Sequence, residues 1–149
     1  MRTFTSGWTI VKEISILSSP ARIFKALTAP EDLDRWFTEG ARVDLRVGGR
    51  YSNQDKDRGK FLEIVRGKRL RYTWENPDHA PDSIVEFLLK RSDDHTLVTL
   101  VLSGFRKKAD FEHYRSRISG WNWALENLKK YLEKKKTVTY EKWLEKHKR

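Results

Sequence analysis

No cysteine occurs among the 149 residues of this chain. That absence excludes disulfides, thiolate metal sites and cysteine nucleophiles. Long apolar runs are also missing: nothing approaches the roughly 18 consecutive apolar residues of a membrane-crossing helix. The opening Met1-Arg2-Thr3-Phe4-Thr5-Ser6-Gly7-Trp8 lacks the apolar stretch of a secretory signal, so a reducing, cytoplasmic location is expected. Histidine is scarce. His79, His95, His113 and His147 stand apart, and none pairs with another at metal-ligand spacing. The Gly48-Gly49 pair is followed by no helix carrying Lys-Ser/Thr, which makes it a turn rather than a phosphate loop. With no Walker motif, HExxH or nucleophile elbow, neither a metal, a cofactor nor a catalytic set is expected.

What is present is aromatic and basic. Aromatic residues make up 12% of the chain, with six Trp, enough for a real core in one domain. The formal net charge is +10. Residues 129 to 149 hold nine Lys or Arg against three acids, so the excess is concentrated in the tail and the body is only mildly basic. Such a tail reads as a solvated helix end or as a contact for an acidic partner.

The hydrophobic pattern changes period along the chain. Trp8 to Leu17 alternates, with Trp8, Ile10, Ile14 and Ile16 on one face, and predicts a strand. Lys12 breaks that face, which places its stem near an end or an edge. Ser19 before Pro20 is a helix start, and Ile23, Phe24 and Leu27 form the stripe of a short helix. Pro30 opens a second, carrying Leu33, Trp36 and Phe37. From 41 to 103 short alternating segments follow with brief turns between them, the pattern of an antiparallel meander. Residues 76 to 82, with two prolines, read as a loop. Asp110 to Lys136 reads as one long helix, with Tyr114, Ile118, Trp121, Leu125, Leu128 and Leu132 on one face and Gly120 inside it. Gly120 there suggests close approach of a strand. Tyr140, Trp143, Leu144 and His147 mark a short amphipathic extension over 137–149, after a domain of residues 1–136. The fold class expected is α+β: a curved antiparallel sheet of about six to seven strands around a long C-terminal helix, with an apolar hollow where they diverge.

Ordered along the chain are Ser19-Pro20-x-x-Ile23-Phe24-x-Ala26-Leu27-Thr28 and Leu33-x-x-Trp36-Phe37. Gly48-Gly49-x-Tyr51, Gly59-x-Phe61-x-Glu63-Ile64 and Leu70-x-Tyr72-x-Trp74-Glu75 come next. Val85-x-Phe87, Thr96-x-Val98-x-Leu100-x-x-Ser103-Gly104-Phe105 and Gly120-Trp121-x-x-Ala124-Leu125-x-x-Leu128-x-x-Tyr131-Leu132 complete the set. The set resembles the START-like helix-grip superfamily, in particular its branch named for activators of the heat-shock protein 90 ATPase. The resemblance implies a hydrophobic cavity between sheet and helix. Two features depart from relatives: Leu102 stands where many have His, and the additional N-terminal domain of the eukaryotic co-chaperones finds no room here.

The expected ligand-binding residues are Trp36, Phe37, Phe61, Tyr72, Trp74, Phe87, Leu100, Phe105, Tyr114, Trp121 and Leu125, since aromatic walls bind flat or apolar ligands. The function expected is non-catalytic binding of a small hydrophobic or aromatic molecule, or a lipid. The alternatives are a chaperone-associated or other protein-binding module, with Tyr140, Trp143 and Leu144 as its patch or as a contact with a second copy, and a cyclase- or hydrolase-like enzyme using Tyr72, His113 or Tyr114. Glu63 and Glu75 lie on strands where cross-strand approach is open to them, with surface pairing to Arg66 or Arg71 as the plainer role. Nucleic acid is an unlikely partner, because the aromatics fall on faces expected to be buried.

Overall fold

The computed structural model describes residues 1–77, 80–116 and 118–147. His79 lies outside the described residues. Eight strands form one antiparallel sheet: β1 (Arg2–Ser6), β2 (Thr9–Ile16), β3 (Arg42–Val43), β4 (Arg50–Ser52), β5 (Arg58–Val65), β6 (Arg69–Asn76), β7 (Ala80–Ser92) and β8 (His95–Ser103). Their order across the sheet is β1-β2-β8-β7-β6-β5-β4-β3. Helices α1 (Pro20–Thr28) and α2 (Pro30–Trp36) follow β2, and α3 (Lys108–Ser116), α4 (Ser119–Lys134) and α5 (Tyr140–His147) follow β8. No described helix is long and apolar enough to cross a membrane. This is the helix-grip architecture, with one strand more than the periodicity suggested.

That extra strand is β1. It pairs with β2 through a turn at Gly7, whose φ of +59° suits a residue without Cβ. Its sequence, Arg-Thr-Phe-Thr-Ser, is exposed throughout and carries little apolar signal. β1 also changes the position of Lys12. Lys12 lies mid-strand, one strand in from the sheet edge, and is 1% exposed, between Ile10 and Ile14 on the face covered by α4. Its ammonium donates to Thr3 Oγ1 on β1 and to Asn122 Oδ1 on α4. Burial holds its pKa below the ordinary lysine value.

The start of α1 is as expected: the Ser19 hydroxyl accepts from Arg22 N and Pro20 stands in the first turn. Four other readings are corrected. The long helix is two, because α3 ends at Ser116 and α4 starts at Ser119. Gly120 therefore sits in the first turn of α4, and a Cβ there would meet nothing within 4 Å. The expected loop over 76–82 is shorter, since Asn76 pairs with Ala80 across a bulge. Glu63 and Glu75 sit toward opposite ends of β5 and β6; Glu63 pairs with Arg69 at 3.2 Å and Glu75 with Arg58 at 4.0 Å.

The core lies between the sheet's concave face and α4. Val98, Leu100 and Leu102 of β8, Val85 and Phe87 of β7 and Leu125 and Leu128 of α4 are all 0–2% exposed. Strand β5 curls toward them with a register shift between Phe61 and Glu63. Gly59 makes room for that curl. A Cβ there would lie 1.9 Å from Thr73 O and 2.7 Å from the Tyr51 ring, whose hydroxyl bonds to the same carbonyl.

Lys12 yields a pH test. Its folded pKa is depressed below the unfolded 10.5. Between those two values the unfolded chain holds a proton that the folded chain has released, so stability rises with pH across that window. Chemical denaturation at pH 7 and pH 10 is expected to show the parent gaining on a Lys12→Met variant as pH rises. A constant gap between the two proteins would refute a depressed Lys12.

Candidate functional site

One large opening breaks the covering of the core. It is a cleft of about 990 Å³ at the end of the sheet near the start of α4. Its inner wall is Trp74 from β6 and Trp121 from α4, with ring centroids 5.1 Å apart. Phe37, the residue that ends α2, stacks on Trp121 at 6.0 Å and on Trp123 at 6.3 Å. Tyr140 at the start of α5 closes the outer side, 5.8 Å from Trp123. The wall is thus built by four separate parts of the chain.

Hydrogen bonds fix these rings. Trp36 Nε1 donates to Ala26 O at 2.8 Å, tying the end of α2 to α1. Trp121 Nε1 donates to Tyr114 Oη at 2.6 Å, bridging α4 to α3. Trp123 Nε1 donates to Val138 O at 2.7 Å, and Tyr140 Oη lies 2.7 Å from Ser119 Oγ. Asn127 is 2% exposed and joins two walls: its amide donates to Trp36 O while its Oδ1 accepts from Val138 N. Lys135, in a left-handed conformation at φ 54°, ends α4 and turns the chain back toward these contacts.

At the base lies a buried carboxylate. Asp57 Oδ1 accepts from Asn76 Nδ2 at 2.8 Å, and Oδ2 from Asn53 Nδ2 at 3.1 Å. Burial, with a smaller contribution from the Asp57 charge, raises the hydroxyl pKa values of Tyr51 and Tyr72. For Tyr114 burial is again the main cause; the Trp121 bond opposes it, and the value is pushed up to about 12. All three phenols are therefore protonated at neutral pH. Among the described residues, no group of three His, Asp or Glu is placed to hold a metal.

Of the residues expected to bind a ligand, Trp36, Phe37, Trp74, Tyr114 and Trp121 line the cleft. Phe61, Tyr72, Phe87, Leu100, Phe105 and Leu125 do not. Phe87 and Leu100 are packed solid against Leu125 and its neighbours on α4, Phe61 and Tyr72 meet Tyr51 in tilted and edge-on contacts behind Trp74, and Phe105 packs on Phe111 and Tyr114. The space is consequently an open cleft at one end rather than a closed hollow along the helix. His113 is exposed on α3, and Tyr72 is half-buried and outside the lining of the cleft. Tyr140 and the buried Trp143 turn toward the body, leaving Leu144 as the exposed member of that stripe. Sequence reasoning missed Trp123, Asn127 and Val138. Trp123 follows Trp121 by two positions, about 200° around a helix, and so falls off the apolar stripe. Its signal was the tail stripe beginning at Tyr140, which needed a partner on α4.

Residues 18–133 match the family model described as activator of Hsp90 ATPase homolog 1-like protein. The chain belongs to this family. No curated protein sequence matches it. Among solved structures, CalU16 from Micromonospora echinospora is 25% identical with a TM-score of 0.74, covering 93% of this chain and 82% of its own. The Aha1 dimer from Colwellia psychrerythraea is 24% identical at 0.73, covering 86% and 98%. An HSP90 activator from Plasmodium falciparum is 22% identical at 0.70, covering 85% and 96%. The latter two establish likeness of fold alone.

Asn127 is the test of how the cleft is held. An Asn127→Ala substitution strands the Trp36 carbonyl and the Val138 N–H, at a cost of about 2–3 kcal/mol. The melting temperature is expected to fall by roughly 5–10 °C, with faster amide exchange from Val138 into α5. Unchanged exchange there would show that α5 is held by other contacts.

Proposed function

We propose that this member of the family binds a small aromatic or apolar molecule in the cleft without transforming it. The observation that carries the reading is the wall of Trp74, Trp121, Phe37 and Trp123 around an open volume of about 990 Å³. That volume falls at the upper end of the usual range for small-molecule sites. Trp121 and Trp123 are already held by hydrogen bonds from their N–H groups, and Phe37 and Trp74 pack against Trp121, so binding would order few side chains and lose little entropy. Supporting a carrier rather than an enzyme, the polar groups at the base are engaged with one another: Asp57 with Asn53 and Asn76, Tyr114 with Trp121. A general acid or base must reach the atom it protonates or deprotonates, and these groups are held by protein partners.

A second reading comes from the family match, which favours docking on a chaperone. Addition of the chain to a purified heat-shock protein 90 ATPase separates the two: a raised ATP turnover supports the second reading and a flat response removes it.

For the first reading, thermal melting against a library of aromatic amines, alcohols and acids is the direct measurement. A ligand at a hundred times its Kd contributes about 2.7 kcal/mol, a rise of roughly 5–10 °C for a chain of this size. Trp123→Ala is expected to abolish the rise. No stabilisation by any library member, together with no co-purifying mass in native mass spectrometry, would sink the small-molecule reading.

A further inference from the structure

The cleft is acidic in a basic protein. Among the described residues its lining holds five carboxylates, Asp34, Glu39, Asp55, Asp57 and Glu141, and one cation, Arg35. The whole chain has 31 Lys and Arg against 21 acids, so the local balance is reversed. Asp57 is buried at the base and the other four are exposed around the rim. The rim carboxylates make no ion pair with a lysine or arginine among the described residues. Asp34 accepts from Ala41 N and Asp55 from Thr38 Oγ1, both neutral donors that leave the charge in place.

The donors inside the cleft are largely taken up. The N–H groups of Trp36, Trp121 and Trp123 bond to protein oxygens, as do the amides of Asn76 and Asn127. Beside Arg35, the Gln54 amide and the Trp74 N–H, what the walls chiefly present is the faces of the rings and negative charge. Ring faces carry the negative end of the aromatic quadrupole and attract cations.

We infer that the ligand of this cleft is an organic cation: an amine or quaternary ammonium on an aromatic or apolar body, its ring among Phe37, Trp121 and Trp123 and its charge toward the carboxylates. This rests on the small-molecule reading and names the chemical class. Long-range attraction offers no rival explanation for cation preference, because a chain of charge +10 repels a cation at a distance.

Three probes sharing one skeleton test it: tryptamine, tryptophol and indole-3-propionate, which are cationic, neutral and anionic at neutral pH. Isothermal titration of the full chain at low salt is expected to give tryptamine at least about fivefold tighter binding than tryptophol, with the propionate weakest. Salt is expected to narrow the gap. A Glu39→Gln/Glu141→Gln double variant changes two exposed side chains and is expected to narrow it by about threefold. In Trp123→Ala tryptamine binding is expected to vanish. Tryptophol or the propionate binding as tightly as tryptamine would overturn the cation inference and leave a small-molecule site standing. Tryptamine binding that survives Trp123→Ala would place the cation elsewhere and overturn the inference. If none of the three binds at millimolar concentration, the cation inference falls, while the library melts and native mass spectrometry decide the small-molecule reading separately.

Discussion

Burial of the Trp121 indole is the contact on which the arrangement around the cleft depends. Its ring meets Trp74 on β6, Phe87 on β7 and Phe37 beyond α2, and its N–H reaches Tyr114 on α3. A buried indole contributes both a large apolar area and a donor that must find an acceptor. Here the acceptor is a phenol on another helix, so satisfying the donor also fixes the angle between α3 and α4. One side of the residue faces a core packed at 0–2% exposure, and the other faces the opening. It therefore marks where the core stops.

The parts of the fold legible in the sequence are those where one face repeats. Period two revealed β2, β7 and β8, and the stripe through Trp121, Leu125, Leu128 and Leu132 revealed α4, because a half-buried element prints its period on the chain. β1 is invisible to that logic, since it is exposed throughout and held by backbone pairing with β2. Lys12 was misplaced for the same reason: an ammonium on an apolar face looks like an edge until a neighbouring strand and a helix provide Thr3 and Asn122. The site was half legible. Its aromatic composition could be read, whereas the division between filler and wall could not, because it depends on where α4 stops covering the sheet. Tyr72 and Trp74 are alike in sequence, yet only Trp74 reaches the opening.

Charge is a sharper case. Read along the chain, the conspicuous feature is the basic run after Lys129, which points toward acidic partners. Folding gathers a different set. Asp34 and Glu39 come from the end of α2 and the loop after it, Asp55 and Asp57 from the β4–β5 turn, and Glu141 from α5. None of these segments is acidic enough alone to suggest a site. Their convergence follows from two local devices: the Asn53 side chain, which accepts from Asp55 N and Asp57 N and holds the turn, and Asn127, which draws the tail back over α4. Net charge thus governs the protein's distant field, while the cleft answers to which loops meet there.

The division of the C-terminal stripe into α3 and α4 accounts for the shape of the space. A single straight helix from 108 to 134 would run about 40 Å at 1.5 Å per residue and leave the sheet splayed from it at both ends. Instead α3 packs on β7 and places Tyr114 against Phe105, with Phe111 beside them. All three rings are buried, and Tyr114 carries this group up to the lining of the cleft. The cleft opens where Phe37, the β4–β5 turn and the returning tail meet. The separation of α3 from α4 and the docking of α5 thus frame an aromatic mouth rimmed with carboxylates.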